Sequence, residues 1–188
     1  MVAAMADFTA PLVWIDLEMT GLNYERCHII EIATIVTTGN LDLVAEGPSL
    51  VLHTNEAQLA TLSDWSREHF TRSGLIERCR NSNISVAEAE QRTLEFLATH
   101  TTKGTSPLCG NSIHNDRAFI ARHMPELNDW LHYRHVDVST IKELSKRWYG
   151  AACAPPKKSD KHEALADIRE SVAELRWYRD HVFSAQVR

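Results

Sequence analysis

The stretch Leu12-Val13-Trp14-Ile15-Asp16-Leu17-Glu18-Met19-Thr20-Gly21 sets two acids into an otherwise apolar run near the start of the chain. Read as a strand, it alternates faces, so Asp16 and Glu18 share one face with α-carbons roughly 7 Å apart. Two carboxylates so placed repel each other. Burying ionised groups without partners is costly, and the usual remedies are a raised pKa or a coordinated cation. The pair therefore points first to a divalent metal.

Further strands are expected over 28–37, 41–45 and 49–53, separated by Gly21-Leu22-Asn23, Thr38-Gly39-Asn40 and Glu46-Gly47-Pro48, which suggests an antiparallel meander. From Leu59 the pattern changes. Residues 63–79 read as helical with a break near Ser73-Gly74, and Ser85, with Glu88 three residues on, caps a helix reaching about His100. Residues 107–111 form a short strand before a helix over 116–124; 135–138 form another before a helix over 141–149. Residues 151–161, with Pro155-Pro156 and Lys157-Lys158, read as a loop. The last helix, 163–182, shows apolar Leu165, Ile168, Val172 and Leu175 at spacings of three and four. Strands alternating with helices imply a parallel part of the sheet. The fold class is α/β: three antiparallel strands, two shorter parallel strands and covering helices.

A length of 188 residues with 44% hydrophobic composition predicts a single domain over 1–188 with a substantial core. No apolar stretch approaches the roughly 20 residues of a membrane span, and the start lacks a basic region followed by an apolar block. A soluble, cytoplasmic protein is expected. Cys27, Cys79, Cys109 and Cys153 form no CxxC pair and read as reduced thiols. The net charge of −5 argues against unspecific binding to long nucleic acid, while leaving room for a short substrate.

Other titratable residues stand out. Asp116 follows a strand end, and although acids at helix starts are often caps, sites in open α/β sheets gather outside the carboxyl ends of strands. His162 and Asp167 are five residues apart, about 140° around a helix, so they cannot both point at one metal from within it. His162 should stand before the helix or in its first turn, with Asp167 inside it as a metal ligand beside the inward-facing Ile168. Glu31 lies in the apolar strand with no partner evident in the sequence, leaving a structural or a site-supporting role open.

The acid-x-acid strand of Asp16 and Glu18, the later Asp116 and His162-x4-Asp167 resemble, in order and across almost the whole chain, the DEDDh group of 3′-5′ exonucleases. The resemblance implies an RNase H-like five-stranded mixed sheet flanked by helices. It also implies that Asp16, Glu18, Asp116 and Asp167 hold two divalent ions, Mg²⁺ or Mn²⁺, with His162 as the general base. More narrowly, 14–22, 110–113, 133–140 and 162–174 resemble oligoribonucleases, dimeric enzymes that cut very short single-stranded RNA, diribonucleotides above all, to 5′-mononucleotides. That resemblance implies Leu22 wedged against the bases, Trp65 stacked on one, and Ser112, Arg134 and Ser139 on the 5′ phosphate with Tyr133 reaching across a homodimer. One departure is that Phe70 stands where many members have histidine, with His69 one residue early, which leaves a substrate role for either open. The alternatives are a related exonuclease acting on tRNA 3′ ends or DNA and, in another class, an inactive nucleotide-binding or interaction protein.

Overall fold

A computed structural model of the chain describes residues 10–150, 155 and 163–183. In chain order these form β1 (Leu12–Met19), β2 (Ile29–Thr37), β3 (Leu43–Val51), α1 (Glu56–Leu59), α2 (Asp64–Arg72), α3 (Leu75–Asn81) and α4 (Val86–His100). They continue with β4 (Pro107–Gly110), α5 (His114–His123), α6 (Pro125–Trp130), β5 (His132–Asp137), α7 (Val138–Tyr149) and α8 (Ala164–His181). The strands make one five-stranded sheet in the order β3-β2-β1-β4-β5; β1, β2 and β3 pair antiparallel, and β4 and β5 run parallel to β1. Helices flank it, as expected of an RNase H-like mixed sheet.

Alternation along β1 decides where the site lies. Val13, Ile15 and Leu17 join one core with Leu97 of α4 and Phe119 and Ile120 of α5. Trp14 joins the other with Ala164, Ile168 and Val172 of α8, and its indole N–H donates to Thr37 Oγ1 at 3.0 Å. Asp16 and Glu18 continue the Trp14 row, so they lie on the face that α8 covers.

Several boundaries differ from the sequence reading. Strands 41–45 and 49–53 are one strand, β3, running through Gly47 and Pro48. Because β3 is an edge strand, the absent N–H of Pro48 is tolerated, and the register shift between Ala33 and Ile35 absorbs the irregularity. The break at Gly74 is real: its φ of 72° separates α2 from α3. Helix α6 was not expected; it is short and opens on Pro125, whose missing N–H is harmless in a first turn. The helix expected from 141 begins at Val138 because Asp137 caps it, accepting the Ser139 N–H at 2.9 Å. Cys27, Cys79 and Cys109 are buried free thiols. His162, Cys153, Lys157, Lys158 and Lys161 lie outside the described residues.

Candidate active site

Strand β4 is only four residues long and pairs with β1 at Val13 and Trp14, ending at Gly110. Beyond that point β1 lacks a neighbouring strand on this side. The carboxylate of Asp116, in the first turn of α5, fills the gap: its Oδ1 accepts the Leu17 N–H at 3.0 Å. At Gly110 a Cβ would meet the tip of the Ile113 side chain, Cδ1, at 2.7 Å, so the glycine leaves room for Ile113 against the end of β4. From the other direction α8 packs across β1 and β2 and brings in Asp167. Asp16, Glu18 and Asp167 each offer one carboxylate oxygen, all within 4.8 Å of one another. Three of the four expected carboxylates thus converge, and Asp116 adjoins them through Leu17 with its charge acting on Glu18.

Crowding shows in the proton affinities. Burial pushes the Glu18 carboxyl up to about 8, and the charges of Asp167, Glu31 and Asp116 add to the effect. Burial likewise pushes Asp116 up to about 7, against the Leu17 N–H that favours its ionised form. The protein alone does not stabilise this much negative charge, and a divalent cation with a preference for hard oxygen ligands fits the donor set.

A pH dependence follows. Between about pH 4.5 and 8 the folded chain retains a proton on Glu18 that the unfolded chain has released, so metal-free stability falls as pH rises through that window. The melting temperature without metal should therefore drop from about pH 5.5 to about pH 8.5. Saturating Mg²⁺ or Mn²⁺ should raise it by about 5–10 °C at the upper pH and by less at the lower. Thermal denaturation with metal and with chelator checks this; an increment independent of pH would count against it.

Two of the expected phosphate-binding residues, Ser112 and Ser139, also meet. Ser112 has a φ of 50°, in the left-handed region that a serine rarely adopts. Its N–H is held by Asp137 Oδ1 at 3.0 Å and Ser139 Oγ at 2.9 Å, and the two serine hydroxyls are 3.2 Å apart. Arg134 and Tyr133 are exposed on the edge strand β5, the guanidinium carbon 5.3 Å from the tyrosine ring centre. Leu22 is 70% exposed on the β1–β2 loop. Thr20 Oγ1 anchors that loop, accepting the His28 N–H and the Thr61 hydroxyl, and His123 Nε2 donates to the Tyr24 carbonyl at 3.0 Å. Trp65 is 65% exposed in the first turn of α2 and stacks on His69 with ring centres 5.3 Å apart. Phe70 is buried with Ile30, Leu59 and Leu62, which removes it as a substrate contact.

Glu31 has partners after all. It stands opposite Glu18 in the β1–β2 register and 3.6 Å from Arg78 of α3; burial pushes its carboxyl up, against the Arg78 charge and the Ala164 N–H at the start of α8, which favour the ionised form. Residues that sequence reasoning passed over complete the site: Asn111, Asp137, Ser171 and Glu174, linked by hydrogen bonds between the ends of β4 and β5 and α8. Two had a signal. Asp137 is an acid at a strand end, and Ser171 follows Asp167 by one helical turn.

This fold, with acids from β1, α5 and α8 gathered where β4 stops short, defines a nuclease of the exonuclease class, and the family model described as Exonuclease matches residues 13–175. Solved structures agree on the fold. S. pombe Pop2p in an Mg²⁺- and Mn²⁺-bound form has a TM-score of 0.71 at 13% identity, over 95% of this chain and 86% of that one. Exonuclease I from Methylocaldum szegediense gives 0.67 at 18% identity, over 93% of this chain but 41% of that longer protein. The sequence goes further. The oligoribonuclease of Thiobacillus denitrificans is 53% identical over 175 residues, 93% of this chain and 96% of that one. That of Chromobacterium violaceum is 51% identical over 177 residues, 94% and 98% of the two chains. The chain belongs to the oligoribonuclease family, and its activity is that of a 3′-5′ exoribonuclease.

Proposed function

We propose that the chain, acting as one domain, hydrolyses very short single-stranded RNA, diribonucleotides above all, to 5′-mononucleotides. The observation that carries this reading is the meeting of Asp16, Glu18 and Asp167 in one cluster, with Asp116 beside it and the Ser112–Ser139 pair attached through Asn111 and Ser171. Asp16, Glu18, Asp116 and Asp167 would hold two divalent ions, Mg²⁺ or Mn²⁺. When bound, such ions lower the pKa of the attacking water and offset charge on the scissile phosphate and departing 3′ oxygen.

The chain's own residues do the rest. His162, two residues before α8, takes the proton of the attacking water; a histidine with an ordinary pKa near ~6.5 is suited to that at neutral pH. Ser112, Ser139 and Arg134 bind the 5′ phosphate, the serines by hydrogen bonds and the arginine by charge. Leu22 presses on the bases. Trp65 stacks on one, an interaction worth about 1–3 kcal/mol that tolerates any sequence. A net charge of −5 suits a ligand of few phosphates held by a few placed donors.

The assembly we propose is a homodimer in which Tyr133 reaches the partner's bound phosphate; its exposure on the edge strand β5, at 72%, supports this. Among the described residues no helix is long and apolar enough to cross a membrane, and the cytoplasm is the proposed location. Chromatography of products tests the chemistry. Incubated with Mn²⁺, a 5′-phosphorylated diribonucleotide should yield 5′-mononucleotides alone, and chelator should stop the reaction. Products ending in 3′ phosphate, or turnover that persists in chelator, would exclude the reading.

A further inference from the structure

Asn111 sits between two groups that the proposed reaction must bring into register. Its side-chain amide accepts the Ser139 hydroxyl at 3.0 Å and donates to Ser171 Oγ at 2.9 Å and Glu174 Oε2 at 3.2 Å. The orientation of the amide is fixed chemically, because Ser171 gives its one hydroxyl hydrogen to the Asp167 carbonyl and so accepts from Asn111, while Glu174 is also held at 2.8 Å by Lys142. Ser171 in turn donates to the Asp167 carbonyl at 2.8 Å. Hydrogen bonds therefore run without a break from the Ser112 N–H through Ser139, Asn111 and Ser171 to the backbone of Asp167. Ser171 and Glu174 are buried, so water does not readily replace a lost partner.

We infer that Asn111 is a positioning residue that couples occupancy of the Ser112–Ser139 pocket to the placement of Asp167. The inference rests on the reading of that pocket as the 5′-phosphate site and of Asp167 as a metal ligand. Ser139 has one hydroxyl hydrogen, which it gives to Asn111 Oδ1. A phosphate oxygen in the pocket competes for that hydrogen and leaves Asn111 free to turn with Ser171 and the first turns of α8. Metal and 5′ phosphate then favour each other, reciprocally and by the same factor.

The test is an equilibrium measurement. Mn²⁺ is titrated into the full chain by calorimetry with a diribonucleotide whose bridging 3′ oxygen is replaced by methylene, in 5′-phosphorylated and 5′-hydroxyl forms. In the unaltered protein the 5′ phosphate should tighten Mn²⁺ binding about tenfold relative to the hydroxyl form. Asn111→Ala and Ser171→Ala each remove one link and should abolish that difference, with melting temperatures showing both folded; if one fails to fold, the other decides. A difference that survives in the folded variants overturns the coupling while leaving the phosphate pocket in place. Should the 5′ phosphate fail to tighten binding of the dinucleotide in the unaltered protein even without metal, the pocket reading falls and the coupling with it.

Discussion

Asp116→Ala is expected to lower kcat/KM on diribonucleotides by about 10³-fold or more in a protein that still folds. Losing one preorganised group that stabilises developing charge typically costs about 10²–10³ in rate, and a carboxylate holding a divalent ion also governs whether that ion stays. Asp116 does a second job, accepting the Leu17 N–H on the side of β1 that β4 no longer reaches. Alanine leaves that buried donor unsatisfied, at about 1–3 kcal/mol, a fraction of the 5–15 kcal/mol typical of a folded domain. Asp116→Asn keeps the acceptor and discards the charge. It should melt close to the unaltered protein and be nearly as inactive as the alanine variant. Steady-state kinetics in Mn²⁺ and a melting curve for each variant check this, and near-full activity in either would remove Asp116 from the metal site.

The acids of β1 were legible because two physical signals coincide there: the period-two strand pattern and a cost of burial that forbids idle carboxylates. Asp116 and Asp167 were legible for weaker reasons, a strand-end position and a place on an inward helix face. What the sequence concealed depends on contacts between distant residues. Asn111 meets partners 28, 60 and 63 positions away, and no local pattern announces them. Glu31 is paired with Arg78, which arrives on a different element. Phe70 shows the converse: its place in the chain left a substrate role open, and packing with Ile30 and Leu59 takes it into the core. Edges were misread for a local reason, since Gly47-Pro48 is ordinary turn chemistry that an edge strand such as β3 also accommodates.

The second large effect concerns substrate length. Ser112 and Ser139 stand at the carboxyl ends of β4 and β5, joined through Asn111 and Ser171 to the turn of α8 that carries Asp167. On the proposed reading, a site that closes on a terminal phosphate disfavours a phosphate that continues into another nucleotide, because the added chain collides with the residues that hold it. Leu22 and Trp65 are exposed, as the proposed contact with a small number of bases requires. No long basic groove is called for, in keeping with the acidic net charge.

The most direct measurement is therefore kcat/KM for a 5′-phosphorylated diribonucleotide against a single-stranded RNA of about twenty residues, with Mn²⁺ at fixed ionic strength. We expect the diribonucleotide to be favoured by about 100-fold or more. Equal values, or a preference for the longer RNA, would contradict the assignment of this site to the shortest RNA fragments.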